Sequence, residues 1–410
     1  MGKFDPLEKY YEKGLQGLES WVPTKPRPLK PDAQVIDFFS GCGGMSLGFA
    51  ALGTTLGAFR LVGAVDVDEK SLRTYNTNFG VPAIQQDIRE LASSRKATEN
   101  LLKKFPSYNP NLPTVLIGCA PCQGFTAHRK KNWDEDDDRN DLIAAFTKVI
   151  LQIDPDCVVM ENVPELLSHR YWNHFSRFKK NLEKSGYIVK QKIINAAAHG
   201  VAQERFRAVV IAMKVDFDLP QDRFSPNEFY SVRDAISDLP VVEAGAISRF
   251  DPMHKSAKHR PETIEIIKAV PKNGGSRPAG IGPKCLQNFK GYADVYGRLK
   301  WDSPAITITH YARNPASGRF IRPQQNRGLT MREAARLQSF PDGFKFEGPF
   351  DDVFRQIGEA VPPLLSLAVA CSVLTALRKE STGISDPEII DTPVNNSFAG
   401  VIAGMKVGRR

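Results

Sequence analysis

The stretch Val35-Ile36-Asp37-Phe38-Phe39-Ser40-Gly41-Cys42-Gly43-Gly44 decides the fold. Its first five residues predict a buried strand, its glycines predict a tight turn, and a helical pattern continues from Met45. A strand, a glycine turn and a helix form the first unit of a doubly wound α/β domain. Because glycine has no Cβ, a ligand can approach the backbone where this strand ends. Ser46 stands where the dinucleotide fingerprint has a third Gly or Ala, so a ligand without a pyrophosphate fits better than NAD.

Acidic residues follow the next two predicted strands. Asp66 ends the strand at residues 61–65, a position from which a carboxylate accepts hydrogen bonds from both hydroxyls of a ribose. Asp68 is the nearby alternative, and capping of a helix is the competing interpretation for either residue. Asp87 follows a third short element and is placed to accept a hydrogen bond from an adenine amino group. Together with the glycine turn, these acids predict an adenosine-containing ligand, with S-adenosylmethionine among the candidates.

A second apolar run, Thr114-Val115-Leu116-Ile117, leads into Gly118-Cys119-Ala120-Pro121-Cys122-Gln123. The run predicts a short buried strand, and Gly118 and Pro121 force a tight loop after it. A thiol held by a stiff proline at the end of a buried strand suits a nucleophile. Three other interpretations of Cys122 stay open at this point. They are a small buried cysteine, redox chemistry with Cys119 in a C-x-x-C pair, and half of a zinc site.

A carboxyl group and two arginines accompany later strands. The apolar run at residues 157–160 ends in Glu161-Asn162-Val163. If this strand is parallel to the one before Cys122, the thiol and the carboxyl face one pocket, and a structural salt bridge is the alternative. Further on, Gln203-x-Arg205-x-Arg207 runs into an apolar strand, and alternation places these three side chains on one face. Two arginines that face the same way require an anionic or carbonyl-rich partner.

The distribution of charge points to nucleic acid. The 410 residues carry a formal net charge of +9, and residues 249–330 alone hold 15 Lys and Arg against 5 Asp and Glu. Aromatic residues are interleaved with these charges, which favours nucleic-acid binding over a solvated basic face. The longest apolar stretch, residues 364–377, is too short to span a bilayer and predicts a core helix. No secretory signal is visible, so we expect reduced thiols and a cytoplasmic protein associated with the nucleoid through DNA.

Composition shifts divide the chain into a large domain, a small domain and two flanking segments. The expected divisions are an N-terminal extension at 1–32, a catalytic cofactor-binding domain at 33–215, a second domain rich in Pro, Gly, Lys and Arg at 216–325, a return to the catalytic domain at 326–378, and a polar tail at 379–410. Within the return segment, residues 330–340 have a helical pattern, and Gly358 to Pro363 is expected to start the final long helix.

Six stretches, in this order, resemble the DNA (cytosine-5) methyltransferases, especially those of bacterial restriction–modification systems. They are residues 37–44, Pro121-Cys122-Gln123, Glu161-Asn162-Val163, Gln203-x-Arg205-x-Arg207, residues 332–341 and residues 358–363. The resemblance runs from about Val35 to Leu377. It departs from the family pattern at Glu359, where Asn is usual, and at His199 and Ala202, where Tyr and Pro are usual.

The resemblance implies an α/β fold, with a Rossmann-like S-adenosylmethionine-dependent methyltransferase domain and a second, smaller target-recognition domain. It implies methyl transfer from S-adenosylmethionine to C5 of a flipped-out cytosine in a specific duplex DNA sequence, through a covalent bond between Cys122 and C6. Cys122 would be the nucleophile, Glu161 the acid near N3 and Arg207 the contact to O2, with Asn162 and Arg205 as supports. The residues implied to line the cofactor site are Phe39, Gly41, Gly43, Gly44, Asp66, Val67, Asp87, Ile88 and Leu142.

The resemblance also implies binding partners and weakens the other interpretations of Cys122. We expect duplex DNA as substrate, a restriction endonuclease as a functional partner, no membrane, no metal and a monomeric state. The redox and zinc interpretations of Cys122 lose support, because the C-x-x-C lies midway along a large α/β domain and no second cysteine pair supplies further ligands. Methylation of tRNA cytosine is one alternative function, and DNA binding without catalysis, suggested by Glu359, is another. The long basic domain after Asp216 favours DNA.

Overall fold

The computed structural model describes residues 6–23, 30–120, 140–287, 294–380 and 389–395. The chain divides into two compact units. The first comprises Met1–Asn195, Phe206–Gln221 and Leu365–Arg410, and the second comprises Ala196–Arg205 and Asp222–Leu364. The assignment of catalysis and target recognition to separate domains stays a prediction.

A seven-stranded sheet forms the centre of the first unit. Its strands are β1 Ala33–Phe38, β2 Phe59–Asp66, β3 Ala83–Gln85, β4 Thr114–Gly118, β5 Cys157–Asn162, β6 Ile188–Asn195 and β7 Phe206–Met213. The spatial order is β3-β2-β1-β4-β5-β7-β6. Strands β1 to β5 run parallel to one another, whereas β7 is antiparallel to both β5 and β6. The predicted α/β fold class is confirmed.

The order of the strands creates one switch point. From β1 the chain adds β2 and then β3 on one side, and it returns to add β4 on the other side of β1. Gly118 pairs with Phe38 of β1 and with Met160 of β5, so these three strands end at the same edge of the sheet. In open α/β sheets, ligands bind at the carboxyl ends of the strands beside such a switch point.

Helices and turns connect the strands and build most of the second unit. Within the described residues, the α-helices are α1 Pro6–Glu19, α2 Gly44–Leu56, α3 Glu69–Phe79, α4 Ile88–Leu91, α5 Arg95–Leu102, α6 Asn140–Ile153, α7 Trp172–Lys184, α8 Val232–Ile236, α9 Pro261–Ala269, α10 Lys284–Gln287, α11 Met331–Leu337, α12 Phe350–Glu359 and α13 Pro363–Leu377. Short 3₁₀ helices lie at Pro164–Leu167, Ala196–His199, Pro226–Glu228 and Pro315–Ser317.

The predicted N-terminal extension contains helix α1, which packs on the first unit. Helix α1 buries Tyr10, Tyr11 and Leu18 in the first unit, and a Cβ on its Gly17 would lie 2.7 Å from the carbonyl oxygen of Ala51 in α2. Such a close approach of two helix backbones explains why a glycine stands at that position.

The apolar stretch Phe350–Leu377 is long enough to cross a membrane by length and composition alone. Residues 360–362 divide it into α12 and α13, and 83% of its apolar window is buried inside the protein. The predicted core helix is confirmed as α13, in which Leu365, Val369 and Leu374 are fully buried.

Buried arginines hold the loops of the second unit together. Arg298 is fully buried and donates to the carbonyl oxygens of Ile267 and Val270 at 2.8 and 3.0 Å. Arg322 and Arg327 are only 4% and 1% exposed. Because irregular loops have no sheet ladder, guanidinium donors satisfy their buried carbonyls instead. Part of the basic block at residues 249–330 is therefore structural and does not face solvent.

Candidate active site

Glu161 and Arg207 form a buried ion pair in the first unit. Glu161 lies near the carboxyl end of β5, and Arg207 lies at the start of the antiparallel β7. Arg207 Nε is 2.8 Å from Glu161 Oε1, and the two side chains are only 15% and 9% exposed. A buried carboxylate needs such a partner, because burial of an isolated charge is costly. The arginine thus has the anionic partner that the sequence required.

Asn162, next to Glu161, connects β5 to the chain that leaves β4. Its Nδ2 donates to the carbonyl oxygen of Ala120 at 3.4 Å, and its Oδ1 accepts from the backbone N–H of Val163 at 2.9 Å. Ala120 is two residues before Cys122 in the sequence. Cys122 itself lies outside the described residues. Strands β4 and β5 are parallel, as the pocket prediction required.

Arg205 and Gln203 do not share a strand face with Arg207, so the alternation prediction was wrong. Strand β7 begins at Phe206, and both residues belong to the second unit. Arg205 donates to the carbonyl oxygens of Ile308, Gly358 and Ala360 at 3.0–3.2 Å. This is the carbonyl-rich partner that the sequence required.

Gln203 connects two of the recognised motifs within the second unit. Its amide donates to Gln338 Oε1 at 2.7 Å and to the carbonyl oxygen of Leu337 at 2.8 Å. Its Oε1 accepts from the backbone N–H of Ile308 at 2.9 Å. Gln203 and Gln338 therefore hold the segment Ala196–Arg205 in contact with the motif at 332–341, within the second unit.

The glycine turn after β1 has a backbone that few residues tolerate. Phe39, Gly41 and Gly43 have φ values of 55°, 50° and 97°. A Cβ on Gly41 would meet nothing within 4 Å, so open space lies beside this residue. The backbone N–H of Gly41 donates to Asp66 Oδ2 at 2.7 Å, which fixes the turn against the end of β2. Burial raises the pKa of Asp66, although hydrogen bonds from Asp68 and Gly41 oppose the rise.

A buried chain of hydrogen bonds that involves Asp37 of β1 was not predicted from the sequence. Ser46 Oγ donates to Asp37 Oδ2 at 2.7 Å and lies 2.7 Å from the hydroxyl of Tyr75. Among the described atoms, Asp37 Oδ1 is buried without a hydrogen-bond partner. Burial raises the pKa of Asp37 well above its ordinary value, despite the bond from Ser46. The available signal was a carboxyl inside an apolar strand, followed nine residues later by a serine in place of the usual glycine.

Comparison with known proteins identifies the family. The family described as C-5 cytosine-specific DNA methylase matches residues 33–374. The Type II methylase M.HgiDII of Herpetosiphon aurantiacus is 33% identical over 350 residues, which cover 83% of this chain and 94% of that protein. The Type II methyltransferase M1.HphI of Haemophilus parahaemolyticus is 36% identical over 341 residues, which cover 83% and 86%. The chain belongs to the C-5 cytosine-specific DNA methylases.

A solved structure agrees with this fold. The crystal structure of a DNA modification methyltransferase encoded within a prophage of E. coli superposes with a TM-score of 0.66 at 23% identity, over 84% of this chain and 99% of that one. The predicted Rossmann-like architecture is confirmed, and so is the resemblance to the restriction–modification enzymes. This methylase is a DNA (cytosine-5) methyltransferase.

Family membership implies S-adenosylmethionine, and the described residues fit it. Asp66 ends β2 with lone pairs beyond those that accept from Gly41 and Asp68. Asp37 supplies an orphaned buried acceptor, and Gly41 leaves open space beside the turn. An adenosine ligand with a cationic amino-acid group suits this set of acceptors. Within the described ranges, no group of three or more His, Cys, Asp or Glu residues is arranged to hold a metal ion.

The other residues implied to line the cofactor site of the methylase differ in their exposure to solvent. Val67 is 61% exposed, whereas Ile88 is buried in the main core. Leu142 and Phe39 are partly buried against that core, and Gly44 begins α2.

Two of the candidate acids already have partners in the chain. Asp68 caps α3 by accepting from the backbone N–H of Ser71 at 3.0 Å, as the competing interpretation held. Asp87 caps α4 and lies 2.6 Å from Arg89, whose hydrogen bond lowers the pKa of Asp87. An adenine amino group would have to share Asp87 with Arg89.

The final long helix starts at Pro363, the last residue of the motif at 358–363, with the proline in its first turn as predicted, but the first two residues of the motif belong to the preceding helix. Gly358 and Glu359 end α12, and Pro363 begins α13. A Cβ on Gly358 would overlap the backbone of Thr309 and His310, which explains the glycine. Glu359, where the family usually has Asn, lies 3.5 Å from Arg355 Nη1.

Proposed function

We propose that this methylase transfers a methyl group from S-adenosylmethionine to C5 of a cytosine flipped out of a specific duplex DNA sequence. The transfer proceeds through a covalent bond between Cys122 and C6 of the base. The observation that carries the proposal is the buried Glu161–Arg207 pair beside Asn162, whose amide contacts Ala120 immediately before the Pro121-Cys122 motif. We infer that the second unit recognises the target, and that the enzyme is a monomer which protects DNA from a restriction endonuclease of the same system.

The chemistry assigns one task to each of three side chains. The Cys122 thiolate adds to C6, and C5 then becomes nucleophilic enough to accept a methyl group. Glu161 holds a proton at N3 while negative charge develops in the ring, and Arg207 stabilises that charge at O2. Bound S-adenosylmethionine supplies a methyl group on a sulfonium sulfur. Loss of the C5 proton to a base and cleavage of the C6–sulfur bond then restore the aromatic ring and release Cys122 as a thiolate.

The pairing of Glu161 with Arg207 suits this scheme. An arginine stays charged at every pH at which the enzyme works, so a base that enters the site meets a carboxyl and a fixed cation together. C6 is inaccessible inside a duplex, and flipping the cytosine costs a few kcal/mol. Phosphate contacts from a basic second unit would offset that cost.

Trapping on 5-fluorocytosine tests the covalent step. Duplex DNA made with 5-fluorocytosine throughout is incubated with the enzyme and S-adenosylmethionine, and protein–DNA adducts that survive denaturation are measured. We expect an adduct with the wild-type enzyme and with Cys119→Ser, and none with Cys122→Ser, although Cys122→Ser still binds DNA. No adduct with the wild-type enzyme, or an adduct with Cys122→Ser, would contradict the proposal.

The substrate class needs a separate measurement. Incorporation of labelled methyl groups into duplex DNA and into tRNA is compared at equal concentrations of target cytosine. We expect label in the DNA alone. Preferential labelling of tRNA would replace the DNA proposal by the RNA alternative.

A further inference from the structure

Residues 245–257 form a hairpin in the second unit, here called the 245–257 hairpin. Ile247 and Lys255 pair in antiparallel orientation, and the backbone N–H of Ser248 donates to the carbonyl oxygen of His254 at 3.1 Å. The turn of the hairpin therefore carries Arg249 and Phe250.

The turn exposes an aromatic ring under a guanidinium group. Phe250 is 75% exposed, the highest value among the large hydrophobic residues in the described part of the chain. Arg249 is also exposed, and its guanidinium carbon lies 4.4 Å from the centre of the Phe250 ring. Ile247, which belongs to the same hairpin, is 53% exposed. Large apolar side chains that a hairpin leaves exposed are candidates for an interaction site.

The turn is anchored although its side chains are exposed. Arg332 is buried, and its Nε and Nη2 contact the two carboxylate oxygens of Asp251 at 2.6 and 3.3 Å. His254 is fully buried and contacts Thr330 Oγ1 at 2.9 Å and the carbonyl oxygen of Pro240 at 2.8 Å. An exposed arginine on a rigid support loses less entropy on binding than one on a mobile loop.

We propose that the 245–257 hairpin reads the DNA target and that Arg249, held over Phe250, recognises a guanine in the major groove. The proposal rests on the proposed function, because it takes the second unit to be the part that recognises DNA. The positive charge of residues 249–330 favours a polyanionic partner over a protein surface. A planar guanidinium makes two hydrogen bonds to O6 and N7 of guanine, which is the commonest sequence-specific contact to DNA. Contact with the Phe250 ring fixes the plane of the Arg249 guanidinium group.

Methylation of a random-sequence duplex library tests this role. After a short incubation with S-adenosylmethionine, bisulfite sequencing gives the base preference at each position around the methylated cytosine. We expect Arg249→Ala to lower the preference for guanine at one position by about 5- to 150-fold, with the other positions unchanged. Phe250→Ala should weaken the same position, and Phe250→Trp should retain it because a ring remains.

Two further variants separate base readout from phosphate contact. Arg249→Lys keeps the charge but loses the planar fork, so we expect it to lose the guanine preference as well. Arg170→Ala is the matched control, because Arg170 also stacks on a ring, that of Tyr171 at 5.3 Å, in the first unit. It should leave every preference unchanged. Thermal melting confirms that each variant is folded.

The outcomes distinguish this inference from the proposed function. A wild-type enzyme that methylates no cytosine would overturn the proposed function itself. A wild-type enzyme with a defined target, together with unchanged preferences in Arg249→Ala and Phe250→Ala, would overturn the role of the hairpin alone. A uniform loss of activity in Arg249→Ala that Arg249→Lys restores would show a phosphate contact and would also overturn base readout.

Discussion

Glu161 and Arg207 show how one contact can serve both the fold and the chemistry. The pair neutralises two buried charges at adjacent antiparallel strands, which a folded protein requires in any case. The same pair presents a carboxyl and a fixed cation at the edge of the sheet where β1, β4 and β5 end. A structural salt bridge and a catalytic carboxyl are therefore not exclusive interpretations of Glu161.

The two roles of Glu161 separate when its charge alone is removed. Glu161→Gln keeps the size of the side chain and an acceptor for Arg207, so we expect a folded enzyme that binds DNA. A primary amide is a far weaker proton donor than a carboxylic acid, so single-turnover methyl transfer should fall by about 10²- to 10⁴-fold. Glu183→Gln, the same change at an exposed residue of α7 in the first unit, is the control and should keep near-normal activity. Loss of less than about tenfold in Glu161→Gln would contradict acid catalysis by Glu161.

At the scale of elements, the sequence predicted strands better than helix ends or side-chain partners. Apolar runs bounded by glycine or by polar residues located β1, β2, β4 and β5, because burial on both faces of a parallel sheet requires such runs. The faces of Gln203 and Arg205 were not predictable, since alternation applies only inside a strand and β7 begins at Phe206. The helical pattern of residues 330–340 is confirmed as α11, but its partners lie in distant loops that no local pattern reveals.

Glu333 of helix α11 shows how a helix residue can depend on partners that are distant in sequence. Thr330 and Glu333 form a capping box at its start, which a local pattern can predict. Glu333 is also fully buried, and its carboxylate lies 2.8 Å from Arg322 Nε and 2.7 Å from Arg327 Nη1. Burial alone would raise the pKa of Glu333, but the two guanidinium groups outweigh burial and hold it below its ordinary value of 4.5.

Neutralising Glu333 should therefore destabilise the protein in a pH-dependent way. Glu333→Gln leaves two buried arginines without their anion, which costs about 3–5 kcal/mol in the free energy of unfolding at neutral pH. A carboxyl whose pKa is lowered by folding contributes stability above its unfolded value, and this contribution is lost as the pH falls through the folded value. The difference between wild type and Glu333→Gln should thus shrink below about pH 4.5, as denaturant unfolding at several pH values would show.

A control on another helix tests whether burial is responsible. Glu265 of α9 is 70% exposed and paired with Lys268, so Glu265→Gln should change the free energy of unfolding by at most about 0.5 kcal/mol. Equal losses in Glu265→Gln and Glu333→Gln, or a loss in Glu333→Gln that acid leaves unchanged, would contradict the ion-pair explanation.

At the scale of the whole molecule, net charge overstates the number of basic side chains in residues 249–330 that are free to contact DNA. The sequence counts every Lys and Arg between residues 249 and 330, yet Arg298, Arg322 and Arg327 are buried and bond to protein groups. Lys258 and Lys300, in contrast, are exposed. Lys258 borders an open pocket of about 430 Å³ that Lys255 and His259 also line. Composition could not separate the buried basic residues from the exposed ones, because burial depends on contacts distant in sequence.

The salt dependence of DNA binding measures how many exposed basic side chains contact phosphates. Each phosphate neutralised by a cation releases a counterion and adds about 0.9 to the slope of log K against log salt concentration. Replacing Lys258 and Lys300 by Gln should therefore lower that slope by about 2 on a non-specific duplex, as fluorescence anisotropy over a salt series would show. The matched control replaces Lys103 and Lys104, which are exposed in the first unit, and should leave the slope unchanged. A slope that stays unchanged in the Lys258 and Lys300 double variant would mean that these two lysines do not contact the phosphates.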